Sequence, residues 1–257
     1  MILKFLQGVF IGLAMILPGL SAGTVILILG FYRQFVDDLS TINLKPYLLM
    51  IPGAAGGILA GVFGIRFLLD HYSVAIMSFL MGMLLASVPM VINHRRSYSI
   101  RPWPVLLGAA GFAVTWFVIC EPTRTFTVLP PGGNLHFLLG GTVSSATMLL
   151  PGVSGGSVLI ILNLYDELIY ALSSWQWLKL AFFSVGFVVG LFGLARLLSA
   201  LYRRYQAEVS LLLAGMILGS TRALLPDQFT ISFFIFSILG AALVLYFSLK
   251  HIRNESG

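Results

Sequence analysis

Two long stretches of the chain contain no charged side chain, and they limit its fold more than any other feature. Residues 5–32 and 125–165 contain no Asp, Glu, Lys or Arg. Over all 257 residues only 9% are charged, whereas soluble domains carry about 25%. So few charges cannot cover the surface of a water-soluble fold. The sequence therefore predicts an all-α polytopic membrane protein.

The remaining composition excludes several classes of function. Fifteen Lys and Arg against nine Asp and Glu give a net charge of +6, but the basic residues lie in short gaps between apolar runs. This distribution is typical of cytoplasmic loops and gives no indication of nucleic-acid binding. The single Cys120 excludes an internal disulfide framework, and the four histidines lack a metal-binding spacing. We expect neither a metal nor another cofactor.

The chain contains an internal repeat. The segment LPGLSAGTVILILGFYRQFV at 17–36 recurs as LPGVSGGSVLIILNLYDELI at 150–169, and matching glycines follow both copies. We interpret the chain as a tandem duplication of residues 1–130 and 131–257. Because the N-terminal segment recurs deep inside the chain, we do not interpret it as a signal peptide.

Each half is expected to contain three membrane spans and one further apolar segment that includes the repeated motif. The further segments, about 3–36 and 135–170, are predicted to be re-entrant helical hairpins, because each arm of about 16 residues is short for a span. Two short complete spans per segment would give the same topology. The spans are expected at about 46–69, 73–93, 103–120, 178–201, 208–225 and 229–249.

The positive-inside rule favours segments that return to the side from which they enter. In that arrangement eleven of the fifteen Lys and Arg lie on one side of the membrane and four on the other. A single crossing by each segment would leave almost no bias. The preferred topology places both termini in the cytoplasm and inverts the second half relative to the first, as in many secondary transporters.

The repeated motif predicts an anion-binding site. Pro18-Gly19 and Pro151-Gly152 form the hairpin turns, and Ser21 and Ser154 stand at the N-caps of the helices that follow. The free amides of a helix N-terminus, flanked by small side chains, can bind an anion. A kink that merely allows close helix packing is the alternative. The predicted substrate-binding residues of the motif are Ser21, Ala22, Gly23, Thr24, Ser154, Gly155, Gly156 and Ser157.

Two charged residues complete the predicted site. Arg124 opens the second uncharged segment on the outer side and could bind an anionic head group with its forked donors, together with Arg66 and Arg222. Interfacial anchoring, or pairing of Arg124 with Glu121, is the alternative. Glu167 is a candidate for carrying a coupling proton, or else a loop residue. No nucleophile or paired-carboxylate motif is present, so we expect no enzyme.

At PGLSAGTVILILGFY and PGVSGGSVLIILNLYDELI the sequence resembles the bacterial polyprenyl-phosphate translocases of the PopT type, over nearly the whole chain. The resemblance implies a transporter, or flippase, that returns the lipid carrier undecaprenyl phosphate to the cytoplasmic leaflet of the bacterial inner membrane, which recycles it for peptidoglycan synthesis. This chain departs from the family pattern at four positions, with Ala22 and Asn163 in place of Gly, Gln34 in place of Glu and Ser157 in place of Thr.

The combined expectation is a flippase for a lipid phosphate whose head group binds at facing re-entrant helix N-termini while its tail stays in the bilayer. A secondary transporter of a small soluble anion is the alternative, and it would enclose the site fully. The expected partners are the lipid phosphate and membrane lipids, with no nucleic acid. The sequence is compatible with a monomer or a homo-oligomer.

Overall fold

The computed structural model describes residues 2–16, 21–92, 102–119, 133–226 and 229–255, and within these ranges it contains helices and no strands. Pro18, Gly19, Glu121 and Arg124, which the sequence analysis singled out, lie outside them. The described part confirms the all-helical prediction.

The helices of the first half follow one another with short breaks. Their bounds are α1 Ile2–Ile16, α2 Ala22–Ile28, α3 Tyr32–Ser40, a 3-10 turn at Lys45–Tyr47, α4 Met50–Ile92, and α5 Pro102–Val114 continued by a π-helical turn at Thr115–Ile119.

The second half has the same order, except that two helices correspond to α4. Its helices are α6 Asn134–Leu149, α7 Gly155–Ile161, α8 Tyr165–Ser173, α9 Trp177–Arg204, α10 Gln206–Ser220 with a 3-10 turn at Thr221–Leu224, and α11 Ile231–Glu255. Helices α9 and α10 are the two that correspond to α4. The short helices α2 and α7, and likewise α3 and α8, begin and end at equivalent positions of the sequence repeat.

A tyrosine interrupts the helices at one equivalent position in each half. The helical segment α4 runs through the two spans expected at about 46–69 and 73–93, and it is broken between them at Tyr72, whose φ is −134° and ψ 31°. Its equivalent Tyr205 separates α9 from α10 with φ −130° and ψ 52°. Neither position carries Pro or Gly, so the usual breaker signals do not mark it.

Glycines let the first helix of each half lie directly on the helix that follows the motif. A Cβ at Gly53 would meet the carbonyl of Phe5, and one at Gly57 would meet that of Val9. The contact advances in the same direction along both helices, so α1 and the first part of α4 are parallel. The motif segment between them therefore returns the chain to the end from which α1 starts. In the second half, Gly186 and Gly190 make the same parallel contact between α9 and α6.

The last helix of each half packs on the other half. Helix α5 lies on α10, where a Cβ at Gly215 would meet the Gly108 backbone. Helix α11 lies on the second part of α4, where a Cβ at Gly82 would meet the Ser237 carbonyl. These two contacts occupy equivalent positions, so the halves exchange their last helices and cannot separate without exposing both surfaces.

Among the described residues, three helical segments are long and apolar enough to cross a membrane, namely His71–Ile92, Trp177–Arg204 and Gln206–Leu224, or four if the bent pair α7–α8 is one span. We expected six. The apolar portions Pro102–Phe117 of α5 and Ile231–Tyr246 of α11 are shorter than a full span, as is Ile2–Met15 of α1. The chain is a multi-pass membrane protein with some helices that are too short to cross alone.

Candidate functional site

The first copy of the motif begins helix α2 with a complete N-cap. Ser21 has an extended backbone, and its Oγ accepts a hydrogen bond of 3.2 Å from the Thr24 amide. The Thr24 hydroxyl lies 3.0 Å from the same oxygen. We expected the Thr24 amide to be free for a ligand, and this was wrong, because the serine side chain that starts the helix also occupies that amide.

The start of α2 contacts the turn of the second copy directly. The Gly152 amide donates to Thr24 Oγ1 at 2.9 Å, and the Ser21 hydroxyl donates to the Leu150 carbonyl at 3.3 Å. A Cβ at Gly23 would lie 2.7 Å from the Leu149 carbonyl oxygen. The two motifs, which are far apart in sequence, therefore meet through backbone and hydroxyl groups.

A tyrosine at the start of α3 adds a hydrogen bond to this contact between the two motifs, which we call the junction. The Tyr32 hydroxyl donates to the Leu149 carbonyl at 2.7 Å, and the side chain is only 5% exposed. Leu149 ends α6, where carbonyls have no partner within the helix. The first copy therefore satisfies backbone groups that the second copy leaves free at its turn.

The second copy is more open. Ser154 stands at the N-cap of α7 but makes no capping hydrogen bond. Ser154, Gly156 and Ser157 are all partly accessible, whereas Ser21, Gly23 and Thr24 are buried. A Cβ at Gly156 would meet nothing closer than the Ser154 Oγ at 3.6 Å. The backbone at Gly156 can therefore be approached by a group that does not belong to the described part of the protein.

Five amides at the two helix starts have no acceptor in the part of the chain that the structure describes. The first amides to be accepted within the helices are those of Val25 and Val158. In the second copy there is room beside Gly156, whereas Gly155 is buried against Met148 and Ser144. The five amides belong to Ala22, Gly23, Gly155, Gly156 and Ser157.

Helices α6 and α7 form a hairpin whose turn is the second Pro-Gly pair. The Ser144 hydroxyl of α6 donates to the Gly155 carbonyl at 3.0 Å, and Gly140, one turn earlier, faces Leu159 further along α7. The two helices are thus antiparallel. Pro151 is fully buried, and Gly152 has a φ of +84°, a conformation that favours glycine.

The helix that follows each copy of the motif is shorter than predicted. We expected one helix through VILILGFY and its equivalent, but α2 ends at Ile28 and α7 at Ile161. Gly30 and Asn163 have positive φ values of 82° and 52°, and the residues after them donate back to the helix, which is the pattern of a Schellman motif. Helices α7 and α8 then meet at a bend of 102°.

Glu167 faces His136, a neighbour that no sequence pattern indicated. Glu167 lies in the first turn of α8, and its Oε2 is 4.0 Å from Nδ1 of His136 on α6. The Nε2 of His136 is 3.0 Å from the Leu162 carbonyl at the end of α7. Because a lone histidine in an apolar segment carries no spacing signal, only the hairpin geometry brings the two residues together.

The arginines expected to gather an anion do not form a group in the described part of the chain. Arg124 and the side chain of Arg66 lie outside it. Arg222 donates to the Trp116 carbonyl at 3.0 Å, and its guanidinium lies 5.4 Å from the centroid of the Trp116 ring. It therefore joins the turn after α10 to the π-helical turn after α5.

Comparison with known proteins identifies the family. Residues 1–76 and 62–238 match the undecaprenyl phosphate translocase-like family, and the chain belongs to it. It is 28% identical to a polyprenyl-phosphate transporter of Vibrio cholerae serotype O1, over 89% of this chain and 79% of the relative. It is 25% identical to a polyprenyl-phosphate transporter of Staphylococcus aureus, over 87% of this chain and 86% of the relative. No solved structure matches significantly.

These matches confirm the resemblance drawn from the repeated motif. The family and both relatives are named for transport and not for a chemical reaction, which agrees with the expectation that the chain is not an enzyme.

Proposed function

We propose that this membrane protein transports a polyprenyl phosphate, undecaprenyl phosphate in the first instance, from one leaflet of the bacterial inner membrane to the other. In this proposal the phosphate binds at the facing starts of α2 and α7, and the isoprenoid tail remains in the lipid. Return of the carrier to the cytoplasmic leaflet would recycle it for peptidoglycan synthesis. The names of both relatives support the substrate class.

One observation carries the assignment of the site: the two motifs meet, and amides without a described acceptor remain at both helix starts. Amides at a helix N-terminus attract a phosphate through their hydrogen atoms and the helix dipole. The second copy offers the more accessible group, at Gly156 and Ser157. We assign phosphate binding principally to the second copy. In this assignment the first copy lines the other side of the site.

Exchange of the substrate between leaflets requires that the junction between the motifs opens. The Thr24–Gly152, Ser21–Leu150 and Tyr32–Leu149 hydrogen bonds close it on one side. Three hydrogen bonds of this kind contribute about 0.5–1.5 kcal/mol each, a total that thermal motion and substrate binding can overcome. We infer alternating access in which this junction is one of the two gates.

We further propose that both motif segments are re-entrant, that the second half is inverted, and that both termini are cytoplasmic. The parallel packing of α1 on α4, and of α6 on α9, supports a segment that returns to its starting side. We propose Arg124 as a further phosphate ligand on the outer side. A cysteine placed at either terminus should react with a membrane-impermeant reagent only after the cytoplasmic side is opened.

The test of the function is transfer of labelled undecaprenyl phosphate between the leaflets of liposomes that contain the purified protein. Gly156→Leu should slow transfer at least about tenfold, which corresponds to a loss of about 1.4 kcal/mol, because its side chain fills the approach to the amides. Ser154→Ala and Arg124→Gln should slow transfer to a smaller degree.

Gly193→Leu is the matched control. Gly193 lies on α9 with no atom within 4 Å of its Cβ position, so the same substitution is tolerated there without touching the motif. If both leucine variants transfer the lipid at the wild-type rate, the site is wrongly assigned. If the wild-type protein moves inorganic phosphate into the liposomes but leaves the lipid in place, the protein is instead a transporter of a small soluble anion.

A further inference from the structure

A histidine and a glutamate face each other near the bend between α7 and α8 without an adequate partner. His136 Nδ1 and Glu167 Oε2 are both inaccessible to solvent and make no hydrogen bond to a described residue, and they lie 4.0 Å apart. Buried polar atoms are almost always hydrogen-bonded, and exceptions call for a bound ion, a water or a functional role. This pair therefore needs an explanation beyond packing.

The hydrogen bond of the other ring nitrogen shows that a proton is missing between Nδ1 and the carboxylate. His136 Nε2 lies 3.0 Å from the Leu162 carbonyl, which can only accept, so Nε2 carries a hydrogen. In a neutral imidazole Nδ1 then has a lone pair and no hydrogen. Without a further proton, this lone pair would face the carboxylate of Glu167, and two acceptors would be turned toward each other.

The neighbouring groups do not supply that proton. Helix α7 carries no charged residue, and the charged side chains near the pair on α8 and α9 are Asp166 and Lys179. Asp166 is exposed, and the Lys179 ammonium lies 5.5 Å from the centroid of the Phe137 ring. Within the described residues no ion pair within 4.0 Å joins Lys179 to Glu167. Leu159, Leu164 and Ala171 form the apolar cluster beside the pair.

The first half lacks both members of the pair. Leu3 stands at the position equivalent to His136, and Gln34 at that of Glu167. Leu3 is 68% exposed, and Gln34 is exposed as well. The first half therefore has neither the imidazole nor the carboxylate. This is expected if the two groups act together and only in the second half.

We propose that His136 and Glu167 bind one proton between Nδ1 and Oε2, and that its uptake and release are coupled to transport of the lipid phosphate. This inference rests on the proposed function. With the proton bound, an imidazolium donates to a carboxylate and the pair has no net charge. After release the pair carries one negative charge, no covalent bond having changed.

The position of the pair suggests how the proton acts on the site. The Leu162 carbonyl that holds the imidazole ends α7, and the amides proposed to bind phosphate begin the same helix, about 10 Å away. The deprotonated pair repels an anion at the other end of α7 and separates α8 from α6. Glu167, whose side chain is 29% exposed, gives the proton a path to water, whereas His136 is only 5% exposed.

The test uses the full-length protein in liposomes with labelled undecaprenyl phosphate and an imposed pH difference. For one coupled proton, a difference of about one pH unit should shift the steady-state ratio of lipid between the leaflets by about tenfold. Glu167→Gln and His136→Gln should each abolish this dependence on the pH difference, and the double variant should behave like either single variant.

Asp166→Asn, on the same turn of α8, is the matched control and should keep the full response. The outcomes separate the two proposals. A wild-type protein that moves no lipid at any pH contradicts the proposed function. A wild-type protein that moves the lipid but ignores the pH difference overturns only the proton site, and so does an unchanged response in Glu167→Gln. Because Glu167 lies near the surface, its variant also serves if His136→Gln does not fold.

Discussion

The two copies of the motif have nearly the same sequence and different surroundings. In the first copy, Ser21 and Thr24 are at most 5% exposed and are bonded to the turn of the second copy. In the second copy, Ser154 and Ser157 are partly accessible, and Ser154 makes no capping bond. The first copy of the motif thus makes the hydrogen bonds that join the two motifs. The second copy leaves backbone donors accessible.

This difference shows that a motif does not determine by itself whether its donors are free. The small side chains that allow a ligand to approach Gly156 allow a protein carbonyl to approach Gly23. Close packing and ligand binding need the same residue types. Whether a protein group packs against the backbone determines which of the two occurs. Matched substitutions in the two copies should therefore have unequal effects on stability.

The largest difference is expected at the central glycines. In Gly23→Ala the new Cβ would lie 2.7 Å from the Leu149 carbonyl oxygen, and because this atom belongs to the backbone it cannot move aside easily. We expect a loss of about 1–3 kcal/mol in the free energy of unfolding. Gly156→Ala should change it by less than about 0.5 kcal/mol. Thermal unfolding of both variants in the same detergent measures the difference, and equal melting temperatures would contradict it.

A second difference is expected at the hydroxyl residues. Thr24→Val keeps the shape of the side chain but removes the acceptor of the Gly152 amide, and a buried amide without a partner costs about 1–3 kcal/mol. Ser157→Ala should cost less than about 0.5 kcal/mol, because Ser157 is accessible and its hydroxyl makes no described bond. Thermal unfolding again provides the measurement. A large loss in Ser157→Ala would show that the second copy is also held by protein contacts.

Much of the fold could be predicted from the sequence, and the asymmetry of the copies could not. The uncharged segments and the repeat predicted a helical membrane protein with two matching halves, because hydrophobicity and turn residues act locally. The break at Tyr72 lies in the gap between the spans expected at about 46–69 and 73–93, although neither Pro nor Gly marks it. The cross-half contact of Tyr32 with Leu149, and the pairing of His136 with Glu167, depend on tertiary packing that no local pattern records.

The two tyrosines that follow the hairpins should differ to a smaller extent. Tyr32→Phe removes a 2.7 Å hydrogen bond to Leu149 and should lower the free energy of unfolding by about 1 kcal/mol. Tyr165→Phe should change it by less than about 0.5 kcal/mol, because Tyr165 is 43% exposed. If the junction is also a gate, Tyr32→Phe should speed lipid transfer in liposomes while it lowers stability. A slower transfer in a folded Tyr32→Phe protein would argue against the gate.

The smallest effect is expected where the returning arms break. Asn163 holds the left-handed conformation that Gly30 holds in the first copy, and glycine adopts it without steric cost. Asn163→Gly should therefore raise the free energy of unfolding by a few tenths of a kcal/mol, whereas Asn163→Ala should lower it by about 1 kcal/mol. If instead the glycine variant is the less stable of the two, the asparagine side chain must make a contact that the first copy lacks. In that case the two bends differ in more than their backbone geometry, and the bend next to the His136–Glu167 pair is specialised as well.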